Sequence, residues 1–316
     1  MRFGIQTPQF GWHAADLLDL WSTLDTRSAF SSLWTMDHLL PPLRGAVIDA
    51  PCFEAWALLG AAARATCRIR LGCLVSANTF RHPALLAKMA LTVDHLSGGR
   101  LTVGLGAGWF EEEHRVFGIP LPGVRERLDR LEEAAHLLRI AFASTKPVRF
   151  AGDHYRLEDA PFTPRSLQSA GLPLLIGGDG ERRTLAIVAR HADVANFQGP
   201  LSVVRRKLRV LREHCNAVGR DFAEIQKTVH VPVELVEEAS ALRAARDFVA
   251  SHLSITATQA REEIPVGPPA HVREVLGAYR EMGITEVILP QVGPIGPRRL
   301  DDLNREILQP MSGAAT

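Results

Sequence analysis

Short apolar runs alternate with longer amphipathic ones along most of this chain, and that alternation limits the fold more than any other feature. A short apolar run suits a buried strand; an apolar stripe recurring every three or four residues suits a helix. The runs Arg2–Thr7, Ser32–Met36, Ile69–Val75, Leu101–Leu105, Pro173–Ile176, Asp193–Asn196, Ile225–Val236 and Glu286–Leu289 read as strands. Helical stretches follow them: Ala14–Ser28, Pro83–Leu96, Val124–Phe142, Glu181–Arg190, Leu201–Val218, Ala241–Leu253, His271–Met282 and Leu300–Met311. The clearest is Val124–Phe142, where Val124, Leu128, Leu131, Ala135 and Leu138 form one stripe and charged residues fill the other face.

Strands alternating with helices pair in parallel through right-handed crossovers. About eight such units close into an α/β barrel, the (β/α)8 TIM barrel; an open doubly wound sheet is the rival. The strands are spread evenly and no internal boundary divides two halves, so the expectation is one barrel domain over residues 1–316, with insertions in its βα loops. Residues 147–164 lack a helical period and read as a small surface excursion shaped as a hairpin. Residues 256–269 are polar and Pro-rich and read as a loop.

Composition then narrows the function. The 316 residues are 46% apolar and 22% charged, with 36 Lys and Arg against 35 Asp and Glu. No cationic excess draws the chain to nucleic acid or an anionic membrane. The most apolar stretches, Ala55–Ala63 and Ala84–Val93, fall short of the roughly 20 residues a spanning helix needs. The opening MRFGIQTPQF has no apolar leader and reads as the first strand. Cys52, Cys67, Cys73 and Cys215 form no CxxC pair, which suggests reduced thiols in a cytoplasmic protein, and no metal site is expected.

In a barrel, catalytic groups lie where strands end and loops begin. That rule selects Gln6 and Thr7, Asp37 and His38, Val75 to Asn78, Gly106 to Trp109, Gly177 to Gly180, Asn196, Gln198 and Gln291. No P-loop, H-E-x-x-H helix or G-x-S-x-G elbow is present, and Gly104, Gly106 and Gly108 miss the Rossmann spacing because Trp109 stands where glycine is needed. His38 suits a general base or a group that polarises a substrate oxygen; the plainer reading is a loop-organising histidine. The turn Gly177–Gly180 either offers N–H groups to a phosphate, with Arg182 or Arg183 adding charge-assisted bonds, or is only a tight turn. Trp109 either walls a planar apolar ligand or packs. Glu111, Glu112 and Glu113 read as a solvated loop or helix start, and Arg81-His82-Pro83 as an anion clamp or a capped helix start. The loops over Leu39–Pro51 and 256–269 carry no readable specificity code.

The stretch NTFRHPALLAKMALTVDHLSGGRLTVGLGAGWFEEEHRVFGIP, Asn78 to Pro120, resembles the signature region of the bacterial luciferase-like superfamily, and its F420-dependent oxidoreductase branch in particular. LWTMDHLLP at Leu33–Pro41 and the segment Leu174–Asn196 resemble the same branch. The resemblance implies a TIM barrel with a flavin-like ring at its C-terminal mouth and a non-proline cis peptide at Leu74–Val75 behind that ring. It places Asp37, Leu74, Val75, Ala77, Asn78, Ala107, Gly108, Gly177 and Gly178 around the cofactor, with Arg182 near its phosphate. His38 matches the histidine that carries acid–base chemistry, and Gln6 and Trp109 are assigned to the substrate pocket. In the sugar-phosphate dehydrogenases of this branch a glutamate follows the glycine of the fourth loop; Trp109 stands there in this chain, which argues against that activity but not against F420.

The expected activity is hydride transfer between F420 and a small-molecule substrate. A luciferase-like monooxygenase using reduced FMN and O2 is the alternative and would need a separate reductase as partner. A non-catalytic flavin- or deazaflavin-binding protein is the third reading. For a partner, the resemblance implies a homodimer, which the sequence by itself does not establish.

Overall fold

The computed structural model describes residues 1–42, 51–291 and 295–312. Eight parallel strands form a ring: β1 (Arg2–Gln6), β2 (Ser32–Thr35), β3 (Arg70–Cys73), β4 (Leu101–Gly106), β5 (Leu174–Gly177), β6 (Val194–Gln198), β7 (Gln226–His230) and β8 (Glu286–Pro290). β8 pairs back onto β1 and β3 onto β4, so the sheet closes and the open doubly wound alternative is excluded. Residues Ser76–Ala77 continue the third strand beside the end of β4. The helices are α1 (Ala14–Arg27), α2 (Ala55–Ala65), α3 (Pro83–Ser97), α4 (Glu111–Val116), α5 (Val124–Ala143), α6 (Thr184–His191), α7 (Leu201–Ala217), α8 (Ala239–Leu253), α9 (Ala257–Glu262), α10 (Pro269–Glu281) and α11 (Pro297–Leu303), which continues as helical turns to Met311.

The excursion is an antiparallel hairpin, Val148–Ala151 against Arg156–Ala160. Three expectations need correction. Residues 256–269 are not a plain loop: α9 forms there because Thr256 and Gln259 make a reciprocal capping box, side chain to backbone in both directions. The strand expected over Ile225–Val236 ends at His230, and Glu234–Leu235 leaves the barrel to pair with Val266–Gly267. The helix expected from Glu181 begins at Thr184, after a turn.

Inward positions alternate along each strand, and one indole organises the barrel's lower half. Trp34 lies inside with Leu175, Val194 and Ile288. Its Nε1 donates to Ser32 Oγ at 2.7 Å, and Ser32 Oγ donates in turn to the Glu286 carboxylate. The ring fits because β3 has no side chain at Gly72: a Cβ there would lie 2.6 Å from Trp34 Cε3 and 2.9 Å from the Thr102 carbonyl oxygen. Beneath this layer, at the N-terminal end, is a polar cavity of about 200 Å³ lined by Arg2, Arg70, Gln226 and Glu286 among others. The Trp34 layer therefore separates that end from the C-terminal mouth.

Gly72→Ala should lower stability by about 1–3 kcal/mol through overpacking against Trp34. Gly60→Ala in α2, where an added Cβ meets nothing within 4 Å, should hold stability or raise it by about 0.5–1 kcal/mol. Denaturant unfolding of both variants checks this, and equal stabilities would contradict the account.

Candidate active site

The floor of the mouth is the segment joining β3 to its continuation. The Leu74–Val75 peptide is cis, as the resemblance implies. Leu74 N–H donates to the Thr35 carbonyl at 2.8 Å, and Gln6 Nε2 donates to the Leu74 carbonyl at 2.8 Å. Gln6, assigned to the substrate pocket from the sequence, thus has its amide N–H bound to the floor that it supports. The Val75 side chain lies among three glycines. A Cβ would come within 2.6 Å of Val75 Cγ2 at Gly106, 2.9 Å of Cγ1 at Gly177 and 3.2 Å of Cγ1 at Gly104. Of the glycine run that misses the Rossmann spacing, Gly106 clears room for Val75, whereas a Cβ at Gly104 would overlap the Cys73 carbonyl oxygen.

Beside the floor, Asp37 is buried at the end of β2. It receives Arg81 Nη1 at 2.6 Å, Arg81 Nη2 at 3.0 Å and the Ala77 N–H at 2.9 Å. Burial pushes the Asp37 carboxyl up on balance, against the Arg81 bonds and charge and the Ala77 N–H, which pull it down. Three donors on its two oxygens suit the ionised form. Arg81 also bonds Glu54. The anions it clamps are therefore the protein's own. His82 Nδ1 accepts the Ala84 N–H at 3.1 Å with Pro83 in the first turn of α3, so the capped helix start is present as well.

His38 faces a partner that the sequence reading set aside. Its Nδ1 lies 3.1 and 3.2 Å from the two carboxylate oxygens of Glu113, and the Leu39 N–H donates to Glu113 Oε2 at 3.0 Å. Glu113 is 1% exposed, so the third residue of the acidic run is not solvated. The run opens the short helix α4, which turns Glu113 and His114 inward and leaves Glu111 out. No spacing in the run marks which glutamate turns inward, since that depends on α4 starting at Glu111. With the carboxylate accepting, Nδ1 carries the proton and Nε2 makes no hydrogen bond among the described residues. The Glu113 charge also reaches Cys52, whose thiol is pushed up to about 11, by burial first and Glu113 second.

Trp109 is 62% exposed, with its ring 5.7 Å from the His38 ring and at 82° to it. It is not a core residue. Gly108 has φ +78, and a Cβ there would meet Thr79 Oγ1 at 2.6 Å. Asn78 donates through Nδ2 to Tyr155 Oη at 3.1 Å, while its Oδ1 is buried without a partner. Ala77 and Ala107 present only methyl groups.

Gly177 is buried and Gly178, Asp179 and Gly180 are exposed. Because α6 starts at Thr184, this is an open turn and not a helix start. Arg183 bonds Asp129 at 2.6 Å, whereas Arg182 is exposed and makes no ion pair among the described residues. An apolar floor flanked by glycines, an unpartnered Asn78 acceptor and an exposed glycine turn near Arg182, which makes no ion pair among the described residues, fit a planar ring with a phosphate-bearing tail.

A second residue escaped the strand-end rule. β7 ends at His230, and Gln226 and Thr228 of the same strand line the lower cavity, so His230 is the next inward position. Its Nε2 is buried with no partner. Burial, and to a lesser degree the charge of His252, lower its imidazole to about 4. The expected specificity loop over Leu39–Pro51 falls partly on residues 43–50, outside the described residues.

Arg81→Met should cost about 3–5 kcal/mol by stranding Asp37 in the interior, and adding Asp37→Asn should recover part of that loss. Unfolding free energies at neutral pH check it. Simple additivity of the two single-variant losses would contradict the pairing.

A family model described as luciferase-like monooxygenase matches residues 1–286. A protein of Kineococcus radiotolerans named F420-dependent glucose-6-phosphate dehydrogenase is 28% identical over 301 residues, spanning 88% of this chain and 87% of its own. Among solved structures, an F420-dependent secondary alcohol dehydrogenase in complex with an F420-acetone adduct superposes with a TM-score of 0.80, at 21% identity over 97% of this chain and 98% of the other. The EDTA monooxygenase of Chelativorans sp. BNC1 superposes with a TM-score of 0.79, at 12% identity over 99% and 93%. At these identities the two structures share the barrel fold with this chain.

Proposed function

We propose that this chain, which belongs to the luciferase-like monooxygenase family, is an F420-dependent oxidoreductase passing hydride between the coenzyme and a small organic substrate. The observation that carries the reading is His38 held through Nδ1 by the buried Glu113, with Nε2 making no hydrogen bond among the described residues. F420, when bound, supplies an obligate hydride carrier. The chain's own residues do the rest. Val75 and its glycines keep the floor flat, while Asp37, Ala77, Asn78, Ala107 and Gly108 border the ring. The N–H groups of Gly178 to Gly180 and Arg182 hold the phosphate.

His38 Nε2 exchanges a proton with the substrate oxygen, and Glu113 fixes the tautomer and the ring plane, as a buried carboxylate does for a catalytic imidazole. Trp109 covers the substrate side and excludes water. No glutamate stands at position 109, and the nearby Glu113 has both oxygens engaged. That supports a substrate other than a sugar phosphate, an alcohol or ketone being the simplest with an oxygen for His38 to meet.

The same floor and turn would accept FMN. The likeness along most of the chain to a relative named F420-dependent favours the deazaflavin.

Equilibrium titration with F420 and FMN, followed by assays on secondary alcohols and ketones, tests the reading. F420 binding is expected, and His38→Ala should lower turnover by about 10²–10⁴-fold with F420 affinity little changed. Tight FMN binding with oxygen consumption, and no F420 binding, would overturn the assignment. F420 binding without turnover on any substrate would favour a carrier.

A further inference from the structure

At the mouth, the inward ends of neighbouring strands β6 and β7 carry Gln198 and His230, which pair in register. Gln198 is exposed, and its side chain makes no hydrogen bond among the described residues. His230 Nε2 is sealed from solvent and unpartnered. A buried polar atom left unmatched needs an explanation, and this one, like Asn78 Oδ1, belongs to a residue at the mouth end of the barrel. Strand 7 is four places from strand 3 in a ring of eight, so His230 faces Val75 across the mouth. Gln6, the corresponding inward group of β1, has its amide N–H bound to Leu74. Among the described residues, Gln198 and His230 are the strand-end side chains on this side that make no hydrogen bond.

We propose that His230, with Gln198 beside it, receives the in-plane polar edge of the bound ring, the pyrimidinedione of two carbonyls flanking an N–H. A neutral imidazole suits that edge, since it offers one donor or one acceptor without placing a charge against the ring. Burial holds His230 in the neutral form. The contact fixes how the ring is turned on its floor, and hence which ring atom lies beside His38. The inference rests on the reading above only in requiring a flavin-type ring at the mouth; F420 and FMN share the edge, and the experiment separates them.

The test uses full-length protein labelled with 15N-histidine, with His230 assigned from a His230→Gln variant, and titration first with F420 and then with FMN. The expected result is a shift of the His230 Nε2 resonance on ring binding. His230→Leu should bind at least about tenfold more weakly while His230→Gln, which keeps a hydrogen-bonding group, stays within about threefold. Thermal melts of both variants show that they remain folded. If F420 binds and the His230 resonance stays still, with His230→Leu binding as tightly as wild type, the inference falls and the proposed function stands. If only FMN binds and moves the resonance, the F420 assignment falls and the inference stands. If neither ring moves it, the inference is overturned.

Discussion

The site depends on how one valine fits. Val75 needs two neighbouring positions without side chains, and Gly106 and Gly177 supply them from two strands, while Gly104 leaves room for the Cys73 carbonyl oxygen just before the floor. With a methyl at Gly106 or Gly177, Val75 would have to rise into the space above or the strands would have to part. The Gln6 amide and the Thr35 carbonyl hold the adjoining Leu74 peptide from the other side. Spacing in the sequence thus becomes a flat floor, and a flat floor is what a stacked ring requires.

Two buried carboxylates attach the loops to that floor, and they do different things. Asp37 ties the end of β2 to Arg81 and to the continuation of β3, in a pair whose geometry suits a permanent ion pair. Glu113 ties the β4 loop to His38 and Leu39, and its partner is a side chain whose other nitrogen stays available. A buried carboxylate unmatched by donors is costly, so each loop is locked as long as its partner is present. The lower half of the barrel, built around Trp34, Ser32 and Glu286, satisfies itself internally. At the mouth Asn78 Oδ1 and His230 Nε2 are buried without a partner, as are Thr35 Oγ1 and Arg127 Nε elsewhere.

The barrel was legible because strand and helix periods differ and alternate, and because a parallel pair requires a crossover. His38, Asp37 and the Gly177 turn were legible because each closes a strand whose end the pattern located. Glu113 was not. A run of three glutamates carries no mark of which one turns inward until the helix start is known. His230 was missed for a related reason: apolar residues continue to Val236, so nothing in the run marks the place where the chain leaves the barrel. Gln6 was placed at the right end of the right strand, but its bond to a backbone carbonyl depends on a floor that no periodicity encodes. The α9 helix was hidden by the prolines that follow it, although the Thr256–Gln259 pair was there to be read as a cap.

The central claim is that the Val75–glycine fit sets the surface on which the ring lies. The dissociation constant of F420 for wild type, Gly106→Ala and Gly106→Ala with Val75→Ala measures it most directly. The account predicts about a tenfold or larger loss of affinity in the single variant and recovery to within about threefold in the double, since removing the valine methyls makes room for the new one. Unchanged affinity in Gly106→Ala, or a double variant no better than the single, would contradict it.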